Sequence, residues 1–167
     1  ANMSPLEFFE WLQNTYWSMA IRESLILYPL ILTTHVLALC VSVGLIAIVD
    51  LRLIGLRFSN VLISEVTGKL IPWALFGFTL MVTSGLLLFY ATPLKAAQNP
   101  FFQIKMLALL LAGLNAFFFH AAIYKKAITW DSLQIVPFRA RLAGCVSLTL
   151  WTVVLVSGRM QAYNWFN

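Results

Sequence analysis

Four stretches of the chain, at about 24–49, 71–92, 106–124 and 142–162, are almost wholly apolar. Each is close to the ~20 residues an α-helix needs to cross the hydrocarbon of a bilayer. Backbone in lipid must satisfy its own hydrogen bonds, and no strand-type alternation competes with the helical reading. Of the 167 residues, 61% are hydrophobic and 10% charged, against roughly a quarter charged in ordinary soluble domains. A soluble chain of this length could not hide so much apolar surface. The expected fold class is all-α: one integral membrane domain over 1–167, a four-helix up-down bundle whose short loops make spans one and four neighbours.

Ahead of the first span, "SPLEFFEWLQN" carries a capping-box start, with Ser4 as cap, Pro5 at the first helical position and Glu7 three residues after the cap. Glu7, Glu10 and Asn14 share one face, and Phe8, Trp11 and Leu12 another, which predicts an interfacial helix over about 4–14. This N-terminus has acids where a signal peptide has a basic region, and no small-residue cleavage site follows.

The net charge of +5 does not point to nucleic acid, because the eleven Lys and Arg sit singly between oily segments, with no basic stripe. They report topology instead. With the N-terminus outside, the inner loops carry Arg52, Arg57, Lys69, Lys125, Lys126, Arg139 and Arg141, and the outer segments carry Arg22, Lys95, Lys105 and Arg159. The excess on the first set places both termini on the periplasmic side by the positive-inside rule. Trp11, Trp17, Tyr90 and Trp165 then form the outer aromatic belt, with Tyr124 and Trp130 on the inner side.

Several chemistries are disfavoured. Cys40 and Cys145 lie inside apolar segments and read as small core residues, with neither zinc-type spacing nor a disulfide framework. Met81, Met106 and Met160 could join the histidines in a soft-ligand path for copper, but lack the tight spacing that would single them out, and methionine commonly fills gaps. No carboxylate pair, nucleophile constellation or glycine-rich phosphate loop supports hydrolysis.

The two histidines are the distinctive polar groups, and both fall inside spans: His35 in "YPLILTTHVLAL" and His120 in "NAFFFHAAIY". A polar ring in lipid usually faces the bundle interior and marks a site. Ala38 and Ser42 follow His35 on one face, and Ala108, Ala112 and Ala116 run along one face toward His120. Small residues there mean either close helix packing or room for a flat cofactor. Haem b is the first candidate, since it takes histidine ligands without cysteine attachment; a copper site or a proton relay are the others. At 1.5 Å per residue, His35 lies roughly 2 Å outward of its span centre and His120 roughly 7 Å inward of its own, which argues against one bis-histidine haem.

Arg159, in "SGRMQAYNW", sits before the outer end of span four, and Arg22, in "IRES", adds a cation at the same end. Arg159 predicts either an ion pair with Glu23 or a clamp on an anion such as a haem propionate, about 8 Å outward of His35. The candidate cofactor-binding residues are therefore His35, His120, Arg159 and Arg22, with the two histidines as candidate metal ligands. Tyr28, Tyr90 and Tyr163 lie near that outer level, either bonding a quinone or forming the belt.

The segments "IRESLILYPLILTTHVLAL", "DLRLIGL", "SGLLLFYATP", "FFQIKMLALLLAGLNAFFFH" and "SGRMQAYNWF" resemble a family of small bacterial inner-membrane proteins catalogued as a domain of unknown function. That resemblance implies four helices, a bacterial cytoplasmic membrane and attention to His35, His120 and Arg159. The plan is more loosely similar to cytochrome b561-like and copper-resistance membrane proteins, a likeness of fold alone. The functional expectation is a b-type haem protein passing electrons between the quinone pool and a periplasmic redox partner. The alternatives are a copper or small-solute transporter and a cofactor-free anchor or assembly subunit.

Overall fold

Where the helices stop is decided by caps and turns more than by hydropathy. The computed structural model describes residues 4–56, 62–123 and 136–163. Among them run α1 (Pro5–Gln13), α2 (Tyr16–Glu23), α3 (Leu27–Ile54), α4 (Ile63–Ala91), α5 (Pro93–Gln98), α6 (Pro100–Phe118) and α7 (Phe138–Met160), with α6 running on into a π-helical turn at Phe119–Ile123. No described residue lies in a strand. Helices α3, α4, α6 and α7 are long and apolar enough to cross a bilayer, making this a multi-pass membrane protein.

The spans are longer than the sequence reading set them. The first runs from Leu27 to Ile54 rather than over 24–49, because Asp50 continues the helix and Gly55, at φ 89°, ends it in the left-handed conformation that costs glycine least. The second begins at Ile63 rather than 71 and carries Pro72 inside the helix. The third begins at Pro100 rather than 106: Asn99 caps it, its side chain accepting the Phe101 amide at 2.9 Å. The fourth begins at Phe138 rather than 142.

The N-terminal segment forms two short helices rather than one. The expected capping box is present, with Glu7 accepting the Ser4 amide at 2.7 Å and Ser4 Oγ accepting the Glu7 amide at 3.3 Å. Helix α2 is tied to α4 where Ser18 donates to the Tyr90 carbonyl at 2.8 Å, and Thr15 shares a 2.7 Å hydrogen bond with the Tyr90 hydroxyl. Together α1, α2 and α5 dress one end of the bundle, the near end. Arg57, Tyr124, Lys125, Lys126, Trp130 and Trp165 lie outside the described residues.

Small residues line the closest helix contacts, large ones such as Leu53, Ile63 and Trp151 fill the remaining interior, and many large apolar side chains face out. Ala38, Ser42, Ala74, Ala108, Ala112 and Gly144 pack between helices, whereas Leu37, Leu86, Leu107 and Phe117 face out. Lipid tails are as apolar as leucine, so association depends on close backbone approach and interhelical hydrogen bonds. A Cβ on Gly77 would come 3.3 Å from the Ser42 amide nitrogen and 3.4 Å from the Ala38 carbonyl oxygen. Ser42 then donates to the Ala74 carbonyl at 3.1 Å. The same device joins α7 to α3, where a Cβ on Gly144 would lie 3.1 Å from the Asp50 carbonyl oxygen.

The helices pack α4 on α3, α3 on α7 and α7 on α6, whereas the α4 and α6 backbones stay apart and meet through side chains, Phe89 stacking on Phe102 at 5.6 Å near one end. The bundle has three closely packed seams and a fourth that is open over part of its length.

Candidate functional site

His35 is half buried, with its ring against α4. Its Nδ1 lies 2.9 Å from the Met81 carbonyl oxygen and 3.1 Å from Ser84 Oγ. Ser84 itself donates to the Leu80 carbonyl at 2.7 Å, so its hydroxyl is held in place. A carbonyl so close to Nδ1 selects the tautomer with the proton there, leaving the Nε2 lone pair free. Nε2 has no hydrogen-bond partner among the described residues. Gly85 makes the approach possible, because a Cβ there would lie 3.0 Å from His35 Cε1. Histidines that bind metal usually have their second nitrogen tied in this way to a carbonyl or carboxylate.

The cation that acts on His35 is Lys105 of α6. It lies along α7, where a Cβ on Gly158 would be 3.7 Å from Nζ, and no hydrogen bond or ion pair to it appears among the described residues. Arg159 makes no ion pair with Glu23 among the described residues. It is exposed, donates to the Tyr163 hydroxyl at 3.2 Å and stacks over that ring at 5.3 Å, because its position on α7 turns it away from the bundle interior that Lys105 enters. Arg22 donates to the Gln13 carbonyl at 3.3 Å and lies 4.0 Å from Glu23, tying together the N-terminal helices.

The two histidines belong to separate regions, as their offset in depth predicts. His120 lies on the π-helical turn at the far end, roughly four helical turns, or about 22 Å, along α6 from Lys105. It lines a cavity of about 340 Å³ enclosed by α3, α4, α6 and α7. The small residues near the two histidines therefore do different jobs. Ala38 and Ser42 face Gly77 in close helix packing between α3 and α4, whereas Ala112 and Ala116 border the cavity.

The cavity is amphipathic along its length. Toward the bundle centre its walls are Ile46, Phe78, Leu109 and Trp151, the Phe78 and Trp151 rings meeting edge to face at 6.4 Å. Toward the far end it meets Asp50, Thr67, Asn115 and Ser147, one from each of the four helices. Asp50 is 5% exposed and Thr67 3%. Ser147 is the hydroxyl that reaches the Asp50 carboxyl, and Asn115 donates across α6 and α7 to the Ala143 carbonyl at 3.0 Å. Asp50 Oδ2 and Thr67 Oγ1 have no hydrogen-bond partner among the described residues. A buried polar atom left unpaired costs about 1–3 kcal/mol, more when charged. The rim is formed by exposed Leu75 of α4 and exposed Gly113 and Ala116 of α6, so the cavity opens sideways through the unpacked seam.

Asp50, Thr67, Ser84, Gly85 and Lys105 are site residues that the sequence reading passed over. Asp50 carried a usable signal: it is the acid between an apolar run and the helix-stopping Gly55, with Arg52 two residues on. Thr67 and Ser84 carried none, since Ser and Thr are common in membrane helices as back-bonded residues.

Among the described residues no three His, Cys, Asp or Glu side chains cluster. His35 with its tethered Nδ1 can ligate a group that needs one protein ligand, and Lys105 can compensate an anion beside it. No curated protein and no solved structure matches the chain. The model of the family of unknown function DUF6644 matches residues 8–164, and the chain belongs to that family.

Proposed function

We propose that the protein is an electron-transfer protein of the bacterial inner membrane that holds a b-type haem on His35 and exchanges electrons between the quinone pool and a periplasmic redox partner. The observation that carries the reading is the 2.9 Å approach of His35 Nδ1 to the Met81 carbonyl. That contact fixes the ring and leaves Nε2 as a ligand, the arrangement typical of metal-bound histidine. Ser84 reinforces the orientation, and Gly85 keeps the ring close to α4. Lys105 supplies positive charge in the interior, the role first expected of Arg159, and suits a propionate. When bound, the iron supplies one-electron chemistry that the side chains cannot.

The near end, with both termini, faces the periplasm in this reading, as the balance of basic residues favours. A continuous copper or solute path through the histidines is less well supported. Ser42, between His35 and the far-end cavity, is fully buried against Gly77, and Met106 is half exposed on the outer surface.

The test is a reduced-minus-oxidised visible spectrum of full-length protein purified from a haem-replete host. Haem absorbance in the wild type that disappears in folded His35→Ala supports the reading. A colourless, folded wild type overturns it and favours a cofactor-free anchor.

A further inference from the structure

The far-end cavity is separate from His35, and its polar end is built but unsatisfied. Two side chains more than nine-tenths buried, Asp50 and Thr67, present oxygens with no hydrogen-bond partner among the described residues. Apart from Asn115, Ser147 and His120, the rest of the wall is apolar and partly aromatic, and the opening lies on the lateral face between α4 and α6. A ligand that satisfies this site must arrive through lipid, bury an apolar body beside Phe78 and Trp151, and present at one end a hydrogen-bond donor to Asp50 and a donor or acceptor to the Thr67 hydroxyl.

We infer that the cavity binds a lipid-soluble hydroquinone, with a phenolic hydroxyl donating to Asp50 and the ring lying in the apolar part. The inference rests on the proposed electron transfer for the choice among lipid-soluble donors, and it gives the quinone side of that exchange a location. In its ionised form the Asp50 carboxylate accepts hydrogen bonds only, and in that form it favours the reduced ligand, which has O–H donors, over the oxidised quinone, which has only carbonyl acceptors. A cavity of about 340 Å³ matches the lower range of small-molecule sites, enough for a ring with its tail leaving through the seam.

The experiment is equilibrium binding of a decyl-benzoquinol and of its oxidised quinone, measured anaerobically on full-length protein in nanodiscs. Wild type should bind the quinol saturably and about tenfold more tightly than the quinone, the discrimination expected when a buried acceptor is left unpaired. Asp50→Asn, which adds a donor, should weaken quinol binding about tenfold and erase the preference. Thr67→Val should weaken it by roughly threefold, as loss of a neutral hydrogen bond does.

Gly113→Leu covers the case in which a change at Asp50 prevents folding. A Cβ there meets no atom within 4 Å, so the leucine is accommodated at the cavity mouth and should abolish binding. Gly44→Leu, equally unobstructed but away from the cavity, should bind as wild type does. Absence of saturable binding, equal affinity for the two oxidation states, or an unaffected Gly113→Leu each overturns the proposal. His35→Ala should retain quinol binding while losing haem, so a missing haem spectrum and a missing quinol site are read separately.

Discussion

Gly85 lies flat against the imidazole of His35, and a methyl group on its Cα would come within 3.0 Å of Cε1 and 3.4 Å of Nδ1. Helix α4 thus gives up a side chain at this position so that α3 can bring its histidine to the Met81 carbonyl. Gly85→Ala must push the ring away from that carbonyl. The expected result is a loss of about 1–3 kcal/mol, the usual cost of overpacking, read by denaturant titration in detergent, together with reduced haem content. Unchanged stability and haem content would show that the contact does not hold the ring.

The proposed ligand roles predict a graded series in haem per folded protein. His35→Ala should contain none. Lys105→Gln should retain part, because it removes an interior charge rather than a ligand. His120→Ala and Arg159→Gln should match wild type, since His120 lies at the other end of α6 and Arg159 pairs with Tyr163. A pyridine haemochrome assay measures all four, and an empty His120→Ala would place the iron in the wrong half of the bundle.

Much of this arrangement was legible in the sequence, for a definite reason. An imidazole in an apolar run is costly enough to stand out, and long apolar runs have few structural solutions. His35 and the spans carry that signal. Asp50 is hidden because a hydropathy reading treats the charge as the edge of the span, whereas the helix ends only at Gly55, where the backbone turns left-handed. Lys105 reads in the sequence as a span-end charge that only reports topology; Pro100 starts α6 earlier than the apolar run suggests and sets the lysine more than a turn inside the helix. The pairing of His35 with Met81 is invisible in any sequence pattern, since its acceptor is a backbone carbonyl.

The packing of α3 on α4 yields a comparison of two substitutions. Gly77→Leu must separate backbones that already stand 3.3–3.4 Å from a hypothetical Cβ. It should therefore cost more than about 2 kcal/mol, beyond the usual effect of a surface change. Ser42→Ala removes only the hydrogen bond to Ala74 and should cost about 0.6 kcal/mol, the mean for such bonds in membranes. Unfolding by a denaturing detergent ranks the two, and the reverse order would mean that the hydrogen bond, not the close approach, holds the pair.

The proposed orientation is tested with single cysteines after Cys40 and Cys145 are replaced by alanine. In intact cells whose outer membrane is permeable to a charged maleimide, Gln98→Cys should be labelled. Leu56→Cys should react only once the inner membrane is opened. Labelling of Leu56→Cys in intact cells would invert the protein and send the His35 end to the cytoplasm.

Because α4 leans on α3 and α6 on α7, and the two pairs meet most extensively where α3 touches α7, the molecule is built like a book, with the Phe89–Phe102 ring stack clasping α4 to α6 at the near end. Each cover is a helical hairpin with its own internal contacts, and the spine is a single line of packing that includes Gly144 against the Asp50 backbone. Changing the angle between the covers alters contacts along the spine and leaves both hairpins intact. The width of the space between them is therefore set by the spine together with the side chains that bridge the covers, the Phe89–Phe102 stack at the near end and Phe119 against Leu53 and Ile63 at the far end.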